Sequence, residues 1–191
     1  MAGSKTITSE AKLVRELKRG NTDAVAQVYN TYIDRVYSLI FNQVDRDHEV
    51  AQEIVQETFS SAIRSAKGFQ GRSSIFTWLC SIANNKVADY YRRKKRETKK
   101  RVDYAPELTQ PSDRDQDVSS LAESAETGEF VRQALSALPL HYKQVLILKY
   151  VEGFTVSDIS QMMGRSQKSI EGLITRARKE LHIRLDKENE G

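Results

Sequence analysis

Apolar residues return every three or four positions through most of this chain, the period of a helix that buries one face. Ser9 is placed to cap a short helix holding Leu13, Val14 and Leu17, which Gly20 ends. Thr22 is expected to cap a longer second helix along Val25, Val28, Tyr32, Val36, Leu39 and Ile40. Asp47 opens a third, with Val50, Ala51, Ile54, Val55, Thr58, Ala62 and Ile63 as its inner face. A loop over Lys67 to Arg72, bracketed by Gly68 and Gly71, leads to a fourth helix beginning at Ser73 or Ser74. Its stripe is Ile75, Leu79, Ile82, Ala83, Val87 and Tyr90.

The periodicity then stops. Residues 102–128 are rich in Ser, Asp and Gln, hold two prolines and carry few large apolar residues, the composition of a linker. A weak helix around Ser119 to Ala125 is compatible with it. From Glu129 the helical pattern returns through Phe130, Val131, Leu135 and Leu138, breaks at Pro139, and resumes from His141 to Tyr150. The expected architecture is therefore all-α: a helical domain over 1–101, a flexible acidic linker over 102–128 and a second helical domain over 129–191.

Charge sharpens this division. Residues 1–101 hold 19 basic and 11 acidic side chains, 102–128 hold 1 and 7, and 129–191 hold 10 and 8. Two basic blocks around an acidic spacer suit a chain that meets a polyanion. Eight of the ten residues from Arg92 to Arg101 are basic, a density that repels itself unless an anion lies nearby. No apolar run approaches the ~18 residues that cross a bilayer, so a cytoplasmic protein without membrane insertion is expected. The single cysteine, Cys80, falls in an apolar-periodic segment and reads as a buried side chain; His48, His141 and His182 have no metal-ligand spacing. Neither a metal nor a cofactor is expected.

Two stretches carry candidate chemistry. In Phe154–Leu181, Thr155 and Asp158 form a capping pair for a short helix that buries Ile159 and Met162 or Met163. Gly164 supplies a turn, and Ser166 caps a second helix whose inner face is Ile170, Leu173, Ile174, Ala177 and Leu181. This is the layout of a helix-turn-helix. Its opposite face presents Lys168, Glu171, Gly172, Thr175, Arg176 and Lys179, groups able to meet phosphates and base edges in a major groove. A helical hairpin with a solvated charged face is the plainer reading of the same pattern. In Phe69–Arg96, Phe69, Phe76, Trp78, Tyr90 and Tyr91 alternate with Asn84, Asn85, Lys86, Arg92 and Arg93, the mixture that lets unpaired bases stack beside a cationic path. Tyr90 and at least one of Phe76 and Trp78 are expected in the core instead.

With these residues in view, the sequence resembles a sigma factor of the extracytoplasmic-function (ECF) group, which retains sigma regions 2 and 4. VQETF, Val55 to Phe59, resembles the region 2 helix that docks on the clamp of the RNA polymerase β′ subunit. FQGRSSIFTWLCSIANN, Phe69 to Asn85, resembles the element that melts and holds the minus-ten strand. Leu138 to Leu181 resembles region 4, which reads the minus-thirty-five duplex.

The resemblance implies that Val55, Gln56, Glu57 and Phe59 bind polymerase. It further implies that Phe69 and the loop through Ser73 hold a flipped base, that Asn85 touches the neighbouring strand and that Trp78 supports the loop or the fork. In region 4 it turns Glu171, Gly172, Thr175 and Arg176 toward bases, and Lys168, Arg178 and Lys179 toward phosphates. The β flap of polymerase and an anti-sigma factor are implied partners, and no catalysis by the chain is implied. One departure stands out: many members of the group carry a Lys or Arg and a Ser where this chain has Glu171 and Gly172, so base preference does not carry over.

Two rivals remain at this level. A stand-alone helix-turn-helix regulator accounts for Thr155–Leu181 but leaves Trp78, Asn85 and the basic run idle. A small nuclease could use Glu53 and Glu57 on one helix face, but no His or third carboxylate completes a metal set.

Overall fold

The structure, a computed structural model, describes residues 9–102 and 122–189. Most of the acidic stretch expected to link the two domains lies outside them. Within them the chain forms eight α-helices: α1 Glu10–Lys18, α2 Thr22–Gln43, α3 His48–Ser65, α4 Ile75–Val102, α5 Ala122–Ser136, α6 Leu140–Leu146, α7 Val156–Met163 and α8 Gln167–Asn189. A 3-10 turn, Ala66–Gly68, ends α3, and a π turn, Ile147–Val151, continues α6. No strand interrupts them among the described residues, and none of these helices is long and apolar enough to cross a membrane.

Helix starts follow the local chemistry. Ser9 and Asp47 accept backbone N–H groups at the starts of α1 and α3, as expected. At α2 the cap is Asn21, one residue earlier than Thr22: its Oδ1 accepts from the N–H groups of both Asp23 and Ala24, leaving Thr22 as the first helical residue. Ser74 caps α4, accepting from Thr77 N–H at 3.0 Å. Glu10 adds a second acceptor there, its carboxylate taking Ile75 N–H at 2.7 Å across 65 residues of chain. Helix α5 begins at Ala122, upstream of residue 129, where periodicity alone had placed the return of helix.

Helices α1 to α4 close around Leu39, Ile40, Ile54, Ile75 and Leu79, all fully buried. Each such side chain contributes roughly 1.5–3 kcal/mol. Ile63, expected inside, is 51% exposed, because Phe59 and Ala62 take the inward positions of that last turn of α3. Helices α6 to α8 close around Leu148, Ile159, Ile170 and Leu173.

Helix α4 is buried on two sides. One row, Ile75, Leu79, Ala83 and Val87, faces α2 and α3. A second row at four-residue spacing, Phe76, Cys80 and Asn84, is also buried. Around it lie Phe154, stacked on Phe76 with centroids 5.6 Å apart, α7, and Gln144 of α6. Cys80 is wholly inaccessible, and burial pushes its thiol pKa far up. The two helical groups thus pack directly on one another.

Candidate nucleic-acid interface

The helix-turn-helix takes its expected form. Thr155 and Asp158 make a reciprocal capping box at the start of α7, and Gly164 ends it with φ 62°, a left-handed geometry that glycine adopts without a Cβ penalty. Ser166 Oγ accepts Ser169 N–H at 3.2 Å to start α8. With Ile170, Leu173, Ile174 and Ala177 buried, the opposite side of α8 leaves Lys168, Glu171, Thr175, Arg176, Arg178 and Lys179 exposed and Gly172 half-buried. Thr175 donates its hydroxyl to the Glu171 carbonyl at 3.0 Å.

The sequence pattern did not single out Arg165 or His141, yet both join this face. Burial first, and then the positive charges of Arg165 and Arg176, push the His141 imidazole below its ordinary pKa. The charges of both guanidiniums thus reach the start of α6. Arg165 follows the turn glycine, where a side chain reads only as loop surface.

The second candidate site lies at the head of α4. Phe69 is 7% exposed and stacks on Trp78, centroids 4.5 Å apart and planes 20° from parallel. Phe69, Arg72, half-buried Ser73 and Trp78 border a cleft of about 440 Å³. Gly71, at φ 69°, makes the bend that brings this loop over the helix. Asn85 is exposed further along α4. Phe76 belongs to the core and carries Arg35 over its ring at 3.7 Å, while Tyr90 is partly buried.

The proposed polymerase-binding residues divide by face. Val55 and Phe59 are buried, as is Thr58 between them, whose hydroxyl donates to the Ile54 carbonyl. Gln56 is exposed and Glu57 half-exposed. Glu57 pairs with Lys86 at 3.2 Å and with Arg93 at 3.5 Å, while Arg92 pairs with Asp89. Arg93, read from sequence as part of the DNA path, is thus drawn toward the acidic face of α3.

The described residues thus form two small helical groups, one with a helix-turn-helix, the layout of a DNA-binding protein, and the other with an aromatic cleft beside a basic helix. Residues 28–97 match the family described as Sigma-70 region 2, and residues 131–181 match Sigma-70, region 4. The chain belongs to the sigma-70 family and is a sigma factor of the ECF type.

Among its relatives, RNA polymerase sigma factor YlaC of Bacillus subtilis (strain 168) is 29% identical over 170 residues, covering 88% of this chain and 95% of that protein. ECF RNA polymerase sigma factor SigW of the same organism is 28% identical over 179 residues, covering 91% and 95%. The fold matches CnrH, solved in complex with the cytosolic domain of CnrY, with a TM-score of 0.65 at 21% identity over 93% of this chain and 97% of that one. It also matches the sigma factor RpoE of Bartonella quintana, solved with the anti-sigma factor NepR, with a TM-score of 0.63 at 21% identity over 84% and 96%.

Proposed function

We propose that this sigma factor binds core RNA polymerase through the outward side of α3, sets position on promoter duplex with α8, and captures unpaired minus-ten bases at the cleft between Phe69, Ser73 and Trp78. The observation that carries the reading is the order of parts: a region 2 match and a region 4 match on two helical groups, the first with Asn85, Arg92 and Arg93 exposed and the second with Lys168, Glu171, Thr175, Arg176 and Lys179 exposed. The chain performs no covalent chemistry. Opening is driven by binding, because stacking worth roughly 1–3 kcal/mol per base, together with a fitted pocket, offsets the few kcal/mol that extruding a base costs.

Within region 2, Gln56 and Glu57 meet the β′ clamp, while Val55 and Phe59 hold the helix that presents them. Asn85, Arg92 and Arg93 follow the melted strand. In region 4, Glu171, Gly172, Thr175 and Arg176 face bases and Lys168, Arg178 and Lys179 face phosphates, with the β flap carrying the domain. An anti-sigma protein is the proposed regulator, a reading supported by the solved complex of RpoE with NepR. The site of action is the cytoplasm, where core polymerase and DNA are found.

In vitro transcription from a library of promoter fragments, with and without core polymerase, tests this reading. Initiation from a subset of fragments only when both proteins are present is the expected result. A tight footprint on a specific duplex by the chain alone would instead make it a stand-alone regulator.

A further inference from the structure

Helix α8 is the second helix of the helix-turn-helix, the element that in such folds enters a major groove with its N-terminal residues against base edges. Ile170, Leu173, Ile174 and Ala177 are buried, which fixes the side that faces outward. At about 100° per residue, Glu171 and Arg176 stand at the two borders of that outward arc. Thr175, Lys168, Lys179 and Gly172 lie between them.

The Arg176 side chain does not stay at its border. A Cβ built on Gly172 would lie 3.3 Å from one guanidinium nitrogen and 3.9 Å from both the guanidinium carbon and the second nitrogen. The guanidinium thus rests against bare backbone, in space that a side chain at 172 would crowd. Long side chains on a helix lie back over the turn before their own Cα, and the missing Cβ lets Arg176 do so closely. Four residues span about 6 Å of rise. Arg176 therefore brings its donors about one turn nearer the base-contacting end, beside Glu171.

Both groups are available to a ligand. Arg176 and Glu171 are exposed, and neither makes a side-chain hydrogen bond or an ion pair among the described residues. Thr175 donates its hydroxyl to the Glu171 carbonyl at 3.0 Å, which leaves it no donor for a base. Between Lys168 and Lys179, Glu171 is the single acidic residue.

The chemistry of this pair selects its partners. In a major groove guanine presents O6 and N7, two acceptors that match the guanidinium fork, and cytosine presents the N4 donor that a carboxylate accepts. Glu171 also selects by rejection, because the acceptor edges of guanine and thymine repel a carboxylate. Consecutive Cα atoms are about 3.8 Å apart, close to the ~3.4 Å step of a DNA strand. Groups borne over neighbouring positions 171 and 172 thus reach one base pair or two adjacent ones.

We propose that Gly172 sets the promoter preference of this chain by leaving room for the Arg176 guanidinium, so that Arg176 and Glu171 together read a guanine and a cytosine at the same or adjacent base pairs of the upstream element. This rests on the reading of α8 as the helix that meets promoter duplex. Gly172 acts as a positioning residue, and the base contacts belong to its two neighbours on the helix surface.

The test uses the full chain with core polymerase, transcribing a promoter library randomised through the upstream element, with the templates of the transcripts sequenced. Wild type should enrich a guanine and a cytosine within one base-pair step of each other. Arg176→Lys keeps the charge but loses the fork, so discrimination at the guanine should fall roughly five- to a hundredfold while the cytosine preference persists. Glu171→Gln should move the cytosine position toward adenine, the base whose edge an amide matches. Gly172→Ala should relax the guanine position alone, at unchanged helix content.

Enrichment of elements without such a pair overturns the inference, as does a Gly172→Ala profile identical to wild type. Two relaxed positions more than one step apart do the same. A uniform loss over all elements in Arg176→Lys marks a phosphate contact and also overturns it. In each of these outcomes selective transcription with core polymerase leaves the sigma-factor reading in place, whereas a wild-type chain that initiates from no fragment sinks both.

Discussion

Arg176 folds back over Gly172 on the recognition helix: a Cβ placed on Gly172 would stand 3.3 Å from one guanidinium nitrogen and 3.9 Å from the guanidinium carbon. A glycine inside a helix costs roughly 0.5–1 kcal/mol relative to alanine, so stability alone does not favour it here. Gly172→Ala should raise the thermal midpoint of the protein yet lower transcription from promoters with an upstream element, because Arg176 is displaced and the helix loses its closest approach to the groove. Thermal unfolding and transcription measured on the same preparation check the opposite signs.

Arg176→Ala removes the group itself. If the guanidinium reads a base, recognition should weaken by roughly 1–3 kcal/mol and specificity should relax at one promoter position. Polymerase affinity should stay as it was. Competition between upstream-element variants measures this, and unchanged output from a folded variant would leave the face as solvated surface.

Asn85 is exposed on α4, so Asn85→Ala should change stability by less than about 0.5 kcal/mol. Promoter opening, followed by permanganate reactivity of unpaired thymines, should fall. A pre-melted template should restore most of the lost transcription, since the template then supplies the unpairing energy. Equal defects on closed and pre-melted templates would place Asn85 at another step.

Thr155→Ala removes the hydroxyl that accepts Asp158 N–H and donates to the Asp158 carboxylate, leaving only the backbone half of the capping box that starts α7. The expected loss is about 0.5–2 kcal/mol, seen as a lower denaturant midpoint with an unchanged slope. Thr155→Ser should recover most of it.

The Asp45–Lys143 ion pair sets a pH dependence. Burial alone would raise the Asp45 carboxyl, but hydrogen bonds from Lys143 and Ser136, the Lys143 charge and the Tyr91 hydroxyl outweigh it and hold the group below its ordinary range. Its contribution to stability is therefore fully present above the ordinary carboxylate pKa, near ~3.9, and is lost as pH falls through the lowered value. Thermal unfolding across an acid titration should show wild type losing stability there, with Asp45→Asn already less stable at neutral pH.

What the sequence made legible was local. Ser9, Asp47, Thr155, Gly164 and Ser166 act within three or four residues of themselves, so spacing alone located them. Asn21 displaced Thr22 because two adjacent cap-forming residues compete and the longer amide reaches two N–H groups. The buried row Phe76, Cys80 and Asn84 was less clear, since its cover comes from Phe154, α6 and α7, far along the chain. For the same reason the pattern did not single out Gln43, Asp45, Lys143 and Gln144, which meet across about a hundred residues. The pattern of α3 marked Val55 and Phe59 as apolar without separating residues that hold a surface from those that form it.

The carboxylate of Glu10 on Ile75 N–H has a consequence for how the protein is made. The helix that carries the proposed melting residues receives this cap from the first helix in the described chain, across 65 residues. During synthesis α1 emerges early and remains without that partner until the start of α4 has left the ribosome. Region 2 is thus a unit whose earliest part is placed late, by a non-local closure of the kind that slows folding.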